Sequence, residues 1–258
     1  MKQSISISNF VIVCLILFFS IPLIYLILGG LLNSPFVNQW DTFTLDGFSE
    51  IFANSSLIHS LTESLLLALS SAIIGVLITT LYLSNSLFNS KKESNTSSIA
   101  LSFPLALPDI IWGLSIVFLA KVLSISLGYN LVFLIHICFN VVLAYVFLKP
   151  VFRSYPKSQI KSSVILGASK FETITDVVLP NLLKQFIVVF VMCFLYSYDD
   201  FLLTFLLGGS DTNTLPLYLY SKLRYGASSS IISIASLTTI FNILLSVIII
   251  AVTKKIKL

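Results

Sequence analysis

The sequence predicts an all-α integral membrane protein with six transmembrane helices, and three observations carry that prediction. Of the 258 residues, 57% are hydrophobic and only 10% are charged, with a mean hydropathy of +1.00. A water-soluble domain carries about 25% charged residues, so this chain cannot cover a surface in water. Six apolar stretches, 10–32, 61–88, 99–123, 131–150, 185–207 and 231–253, each reach the length of about 20 residues that a helix needs to cross hydrocarbon. None of them alternates apolar and polar residues as a membrane β-strand does, and a helix satisfies its own backbone in lipid.

The first stretch is longer than the apolar core of a signal peptide and lacks a small-residue cleavage site, so it is read as a retained helix. Residues 33–60 form the longest polar segment, with a short helix expected around 48–53. The second stretch ends in NSKKESNTSS (89–98), a solvated turn. The third contains Pro104 and Pro108, each of which removes a backbone donor, so a broken or kinked helix is expected there. The fourth and fifth are separated by residues 151–184, far more than the 2–8 residues a helical bundle needs for a connection. The domain organisation expected is therefore 1–60 for the first helix and outer segment, 61–253 for the core, and 254–258 for a basic tail.

Lys and Arg set the orientation. With both termini in the cytoplasm, all of the 15 basic residues except Lys121, Lys222 and Arg224 are cytoplasmic, as the positive-inside rule requires. On that assignment Lys2, Lys91, Lys92, Lys255 and Lys257 are inside, and Asp41, Asp46 and Glu50 are outside. The bias accounts for the net charge of +4 and leaves no basic patch for nucleic acid.

Within the long cytoplasmic segment, GASKFETITDVVLPN (167–181) reads as a folded elbow. A helix over 157–166 stops at Gly167, the residue suited to a left-handed helix end. Ser169 caps a second helix, with Glu172 three residues on as its capping-box partner. Phe171, Ile174 and Val178 then share one face at helical spacing, and Pro180 closes the helix before the fifth stretch. An apolar face on such an elbow is buried either against the chain's own spans or against a cytoplasmic partner.

Asp109, Asp199 and Asp200 fall inside predicted spans. A mid-bilayer Asp costs about 2.5–3.5 kcal/mol on insertion scales, so it faces a bundle interior or a wet cavity. Carboxylates in such a place attract cations. Trp112, Tyr196, Tyr198 and Tyr225 are available for cation–π contacts, although aromatics also favour membrane interfaces without any ligand. Neighbouring residues on a helix point about 100° apart, so Asp199 and Asp200 are expected to have different partners. Cys14, Cys138 and Cys193 show no paired spacing and read as core residues. His136 has no second ligand at metal spacing, so no metal site is expected, and Asn140 one turn on reads as an interhelical hydrogen-bonding residue. No phosphate-binding loop, nucleophile elbow or zinc-protease motif occurs.

Gly167, Ala168 and Ser169, followed by Val178, Leu179 and Pro180, resemble the "EAA loop" of binding-protein-dependent ABC importer permeases. The Glu-Ala-Ala of that pattern is absent, since Lys161, Ser162 and Ser163 occupy its place, and a further family Glu is replaced by Lys170. SYDDFLLTFLLGGSDTNTLPLYLYSKLRYGAS (197–228) and SFPLALPDIIWG (102–113) resemble the C-type permease subunit of spermidine/putrescine importers, and iron(III) and related permeases share much of that pattern.

The resemblance implies a type I ABC importer fold in the bacterial cytoplasmic (inner) membrane. It also implies partners: an ABC ATPase dimer, a second (B-type) permease and an extracytoplasmic solute-binding protein. The chain itself would carry no cofactor, ATP being used by the ATPase. Residues Gly167, Ala168, Ser169, Phe171, Ile174, Val178, Leu179 and Pro180 would couple to the ATPase, and Asp109, Asp199, Asp200, Ser197, Trp112 and Tyr198 would belong to the substrate path. The alternatives are a permease for another solute such as iron(III) or thiamine, and a six-helix channel or scaffold with no ATPase.

Overall fold

The computed structural model describes residues 7–32, 46–88, 101–226 and 228–254. The basic residues Lys2, Lys91, Lys92, Lys255 and Lys257, the acid Asp41 and the turn at 89–98 lie outside the described residues. The described chain is helical: α1 (Ile7–Leu31), α2 (Asp46–Ala53), α3 (Ser55–Phe88), a 3-10 turn (Phe103–Ala106), α4 (Asp109–Val122), α5 (Tyr129–Ser154), α6 (Lys157–Ile165), α7 (Lys170–Tyr198), α8 (Leu202–Leu207), α9 (Leu215–Leu223) and α10 (Ser229–Lys254).

Five of these, α1, α3, α5, α7 and α10, are long and apolar enough to cross a membrane. The third predicted stretch is divided. α4 has 14 residues, about 21 Å at 1.5 Å per residue, against a hydrocarbon layer of about 30 Å. The division falls at the prolines: Pro108 is extended at ψ 139° and stands as the N-cap of α4. Pro108 has no N–H to give the carbonyl of Pro104, and the indole N–H of Trp112 donates to that oxygen instead, at 2.9 Å. The side chain thus closes the gap that the proline opens.

The chain forms two compact units. One consists of the N-terminal segment to His59 and Tyr218–Leu245; the other consists of Ser60–Leu217 and the C-terminal end from Ser246. In the first, the Oδ1 of Asn54 accepts the Leu57 N–H at 3.1 Å and caps α3, while its amide donates to the Tyr218 hydroxyl at 3.1 Å. Ser233 donates to the carbonyl of Gly30 at 3.2 Å. α1 leaves its large side chains uncovered, Phe18 being 69% exposed, as expected of a helix facing lipid or another subunit.

The second unit holds the core: Leu67, Val132, Phe139, Leu203 and Leu207 are buried together. α3 and α5 approach closely at Gly75, where an added Cβ would stand 2.6 Å from the Cβ of Asn140. That approach joins a buried polar triad. The Asn140 amide donates to Ser71 at 3.1 Å and to Ser197 at 2.9 Å, and Ser71 donates to Ser197 at 3.2 Å. Such interhelical bonds average about 0.6 kcal/mol in membranes, so they fix the alignment of α3, α5 and α7 more than they add stability.

Two expectations are corrected. The fifth predicted stretch does not run helical to Leu207: α7 ends at Tyr198 and α8 starts at Leu202, leaving Asp199 and Asp200 in the break. Nor does Pro180 end the elbow helix. Thr173–Val178 is wound as a π-helix, and the Leu179 N–H reaches back to the carbonyl of Ile174. This wider turn seats the proline ring, and the carboxamide of Asn181 donates to the carbonyl of Val177 at 2.8 Å. Lys170–Tyr198 is therefore one helical rod of 29 residues.

Candidate functional site

The acids sit where helices are interrupted, and interruption frees backbone groups for a carboxylate to use. Asp200 accepts the Leu203 N–H at 3.3 Å on one oxygen. Its other oxygen takes the Thr204 N–H at 2.9 Å and hydroxyl at 2.8 Å. It therefore holds the first turn of α8. The same oxygen lies 3.4 Å from Nε2 of His136, whose side chain is 0% exposed against 5% for Asp200. Asp109 opens α4 and is half-buried, and the Tyr196 hydroxyl donates to it at 3.5 Å. Asp199 is exposed, and its N–H donates to the carbonyl of Leu195 at 3.1 Å, closing α7.

Aromatic rings connect these groups. Tyr196 stacks on Phe139 at 5.9 Å, and Phe139 meets Trp112 edge-on at 6.3 Å. Phe103 meets Trp112 in turn at 6.5 Å. The remaining path residues lie elsewhere: Ser197 is buried in the triad with Ser71 and Asn140, and Tyr198 is buried and stacked on Phe194 at 5.5 Å. Tyr225 is 93% exposed. The structure thus gathers Asp109, Asp200, Trp112 and Tyr196 around one aromatic wall. It adds His136, which metal-ligand spacing passes over because its partner is 64 residues away in the chain. An ionisable residue inside a span was the available signal.

The elbow is the second candidate region. α6 ends at Leu166, whose N–H bonds to Ser162 at 3.0 Å, and Gly167 turns the chain at φ +93°, a conformation open to glycine. Ser169 and Glu172 form the predicted capping box, with the Ser169 N–H donating to the carboxylate at 2.7 Å and the Glu172 N–H donating to the hydroxyl at 3.2 Å. The Ser169 N–H, and then the hydroxyl, hold the Glu172 carboxyl below the usual carboxylate range.

Behind the turn, the hydroxyls of Ser163 and Thr173 meet at 3.0 Å. Tyr155 donates to Gln159 at 2.7 Å and to the carbonyl of Val177 at 3.3 Å. These contacts fasten α6 to α7 from within.

The predicted apolar triad is divided by the π turn. Val178 is 0% exposed, Ile174 and Leu179 are half-buried, and Phe171 is exposed. What the elbow offers outward is Ile165 and Leu166, 83% and 87% exposed, with Val164 and Phe171 beside them. Ala168 is half-buried, and Pro180, Gly167 and Ser169 are exposed. A groove of about 500 Å³ runs alongside, lined by Leu87, Phe88, Lys157, Ile160, Lys161, Val164 and Ile165, and the Lys170 ammonium stands 5.7 Å over the Phe88 ring. Contiguous apolar surface of this kind, rimmed by polar residues, marks an interaction site.

Five apolar helices with buried polar groups between them define a multi-pass membrane protein. Residues 73–258 match the family described as "Binding-protein-dependent transport system inner membrane component", and the chain belongs to that family. It is a multi-pass protein of the inner membrane.

Among its relatives is the spermidine/putrescine transport system permease protein PotC of Escherichia coli (strain K12), 24% identical over 225 residues, covering 87% of this chain and 85% of the relative. A PotC homolog of Mycoplasma pneumoniae is 33% identical over 147 residues, 55% of this chain and 51% of the relative. In three dimensions the chain resembles a subunit of a bacterial ABC transporter involved in the import of the acidic polysaccharide alginate. The TM-score is 0.68 at 13% identity, over 100% of this chain and 99% of that one. At that identity the likeness concerns the fold alone.

Proposed function

We propose that this chain is one of two permease subunits of an ATP-driven importer that carries organic polycations, of the putrescine and spermidine class, into the cell. The observation that supports it most is the pair of carboxylates, Asp109 and Asp200, set beside an aromatic wall in the interior of a membrane bundle. Carboxylates in a low-dielectric path favour cations, and aromatic faces add cation–π attraction. The relatives named for spermidine and putrescine transport support the same substrate class.

In this reading the 3-10 turn and α4 together make a sixth, broken crossing, and both termini are cytoplasmic. Asp109 and Asp200 meet the passing cation, Asp200 also holding the break between α7 and α8, with Asp199 beside them on the path. The exposed apolar tip of the elbow seats in an ABC ATPase dimer, which supplies the ATP hydrolysis. A second permease completes the path, and an extracytoplasmic binding protein delivers the substrate.

Reconstitution with those partners in vesicles tests the proposal. Radiolabelled putrescine is expected to enter on ATP addition, with excess spermidine competing and iron(III) or thiamine leaving the rate unchanged. Uptake blocked by iron(III) or thiamine and not by spermidine overturns the substrate assignment.

A further inference from the structure

His136 is a buried ionisable side chain to which the cation path and the elbow assign no role. It projects from α5 with 0% exposure; its Nε2 is 3.4 Å from Asp200, and neither ring nitrogen has a hydrogen-bond partner among the described residues. The hydrogen bond that one ring nitrogen makes sets the state of the other. Here the contact with Asp200 is the polar contact that the ring makes.

The charged groups that reach it, Asp200 and Asp109, are acidic. Asp109 on α4 lies within electrostatic reach of both His136 and Asp200, and Tyr196 on α7 is bound to Asp109. On α3 the carboxylate of Glu63 is engaged elsewhere, accepting the Asn213 N–H at 3.0 Å. α8 contributes to Asp200 through Thr204, a neutral donor. Farther along α5 itself, the Lys149 ammonium is taken by the Tyr145 hydroxyl at 2.8 Å. His136 is therefore the basic side chain against Asp200. A buried carboxylate needs a counter-charge or a full set of donors, and a histidine can surrender its charge near neutral pH where a lysine cannot.

We propose that His136 is the specificity-determining counter-charge of the acid site: as imidazolium it holds Asp200 while the path is empty, and an arriving organic ammonium replaces it. The inference rests on the cation-path reading above. The exchange conserves charge at the carboxylate, one cation leaving as another arrives, and the Nε2 proton passes from the ring to solvent. A neutral solute brings no charge to exchange and leaves the imidazolium in place, so the pair screens solutes by charge.

The sequence has two histidines, which makes the exchange directly observable. In the complete transporter held in lipid nanodiscs, with 15N-histidine in this chain only and His59→Gln, one imidazole remains to report. In mildly acid solution, saturating putrescine is expected to lower the imidazolium signal by half or more, and 1,4-butanediol to leave it unchanged. An unchanged signal while radiolabelled putrescine is retained by the complex overturns the role of His136. Failure of the complex to retain putrescine overturns the polycation reading itself, and this inference with it.

A second measurement uses uptake. As the solution is taken from mildly acid to mildly basic, wild-type putrescine uptake is expected to rise about fivefold. His136→Gln is expected to flatten that profile. An assembled His136→Gln transporter that keeps the wild-type profile overturns the proposal.

Discussion

The elbow and the acid site are built by opposite means. The elbow between α6 and α7 is assembled from neighbours in sequence: Gly167 turns the chain, Ser169 and Glu172 cap it, and Ser163 meets Thr173 across ten positions. The acid site draws Asp109 from α4, His136 from α5, Tyr196 from α7 and Asp200 from the break before α8. A locally encoded device tolerates change around it as long as its turn survives. One assembled from distant segments depends on every helix crossing that supports it, Gly75 against Asn140 above all.

The two regions should therefore fail differently. The largest effect is expected from charging the elbow tip. Replacing Ile165 and Leu166 together by Asp removes two exposed apolar anchors, each worth about 2 kcal/mol at an interface hot spot. Co-purification of the ATPase should fall by about 100-fold or more, since each 1.4 kcal/mol is tenfold, while putrescine retention by the permease pair is unchanged. ATPase recovered in normal yield would show that this tip is not the docking surface.

Asp109→Asn should do the reverse. Exchanging a charged hydrogen-bonding partner for a neutral one costs about 1.5–3 kcal/mol, so uptake should drop about tenfold or more with the ATPase still bound at wild-type yield. Normal uptake by that variant removes Asp109 from the path.

How much of this was legible beforehand follows the same division. The turn at Gly167 and the capping box were readable residue by residue, because hydrogen bonds between positions three apart leave a local pattern. Breakage of the third apolar stretch at Pro104 and Pro108 was readable for the same reason, though not that Trp112 would supply the missing donor. The π turn at Thr173–Val178 was not: regular α-helical spacing put Val178 beside Phe171, and the wider turn buries one and exposes the other. The outward tip of Val164, Ile165 and Leu166 carried a signal, three consecutive apolar residues in a water-facing segment. His136 was set aside because spacing along the chain says nothing about a carboxylate brought in from another helix.

The smallest expected effect lies at the cap. Ser169→Ala removes the hydroxyl that accepts the Glu172 N–H, a loss typical of about 1 kcal/mol for an N-cap, and coupling of ATP hydrolysis to uptake should weaken about twofold. Because the Glu172 carboxyl titrates below its ordinary range, its share of the cap is complete above the unfolded carboxylate value and fades only as pH falls through the lowered one. Hydrogen exchange at the Ser169 N–H should accordingly stay slow from neutral into mildly acid solution in the wild type. Exchange that quickens already near neutrality would show that the box contributes nothing.

Because Pro180 is absorbed and not obeyed, the elbow and the acid site share a single shaft. Twenty-nine residues at 1.5 Å each make about 43 Å of helix, with Lys170 at one tip and Tyr196 and Tyr198 at the other, immediately before the two aspartates. Along it the departure from regular α-helix is the π turn, where Thr173, Tyr155 and Asn181 brace the wall. In the importer proposed above, a continuous shaft of this kind would carry motion at the elbow to the acids by leverage, not by a relay of small adjustments.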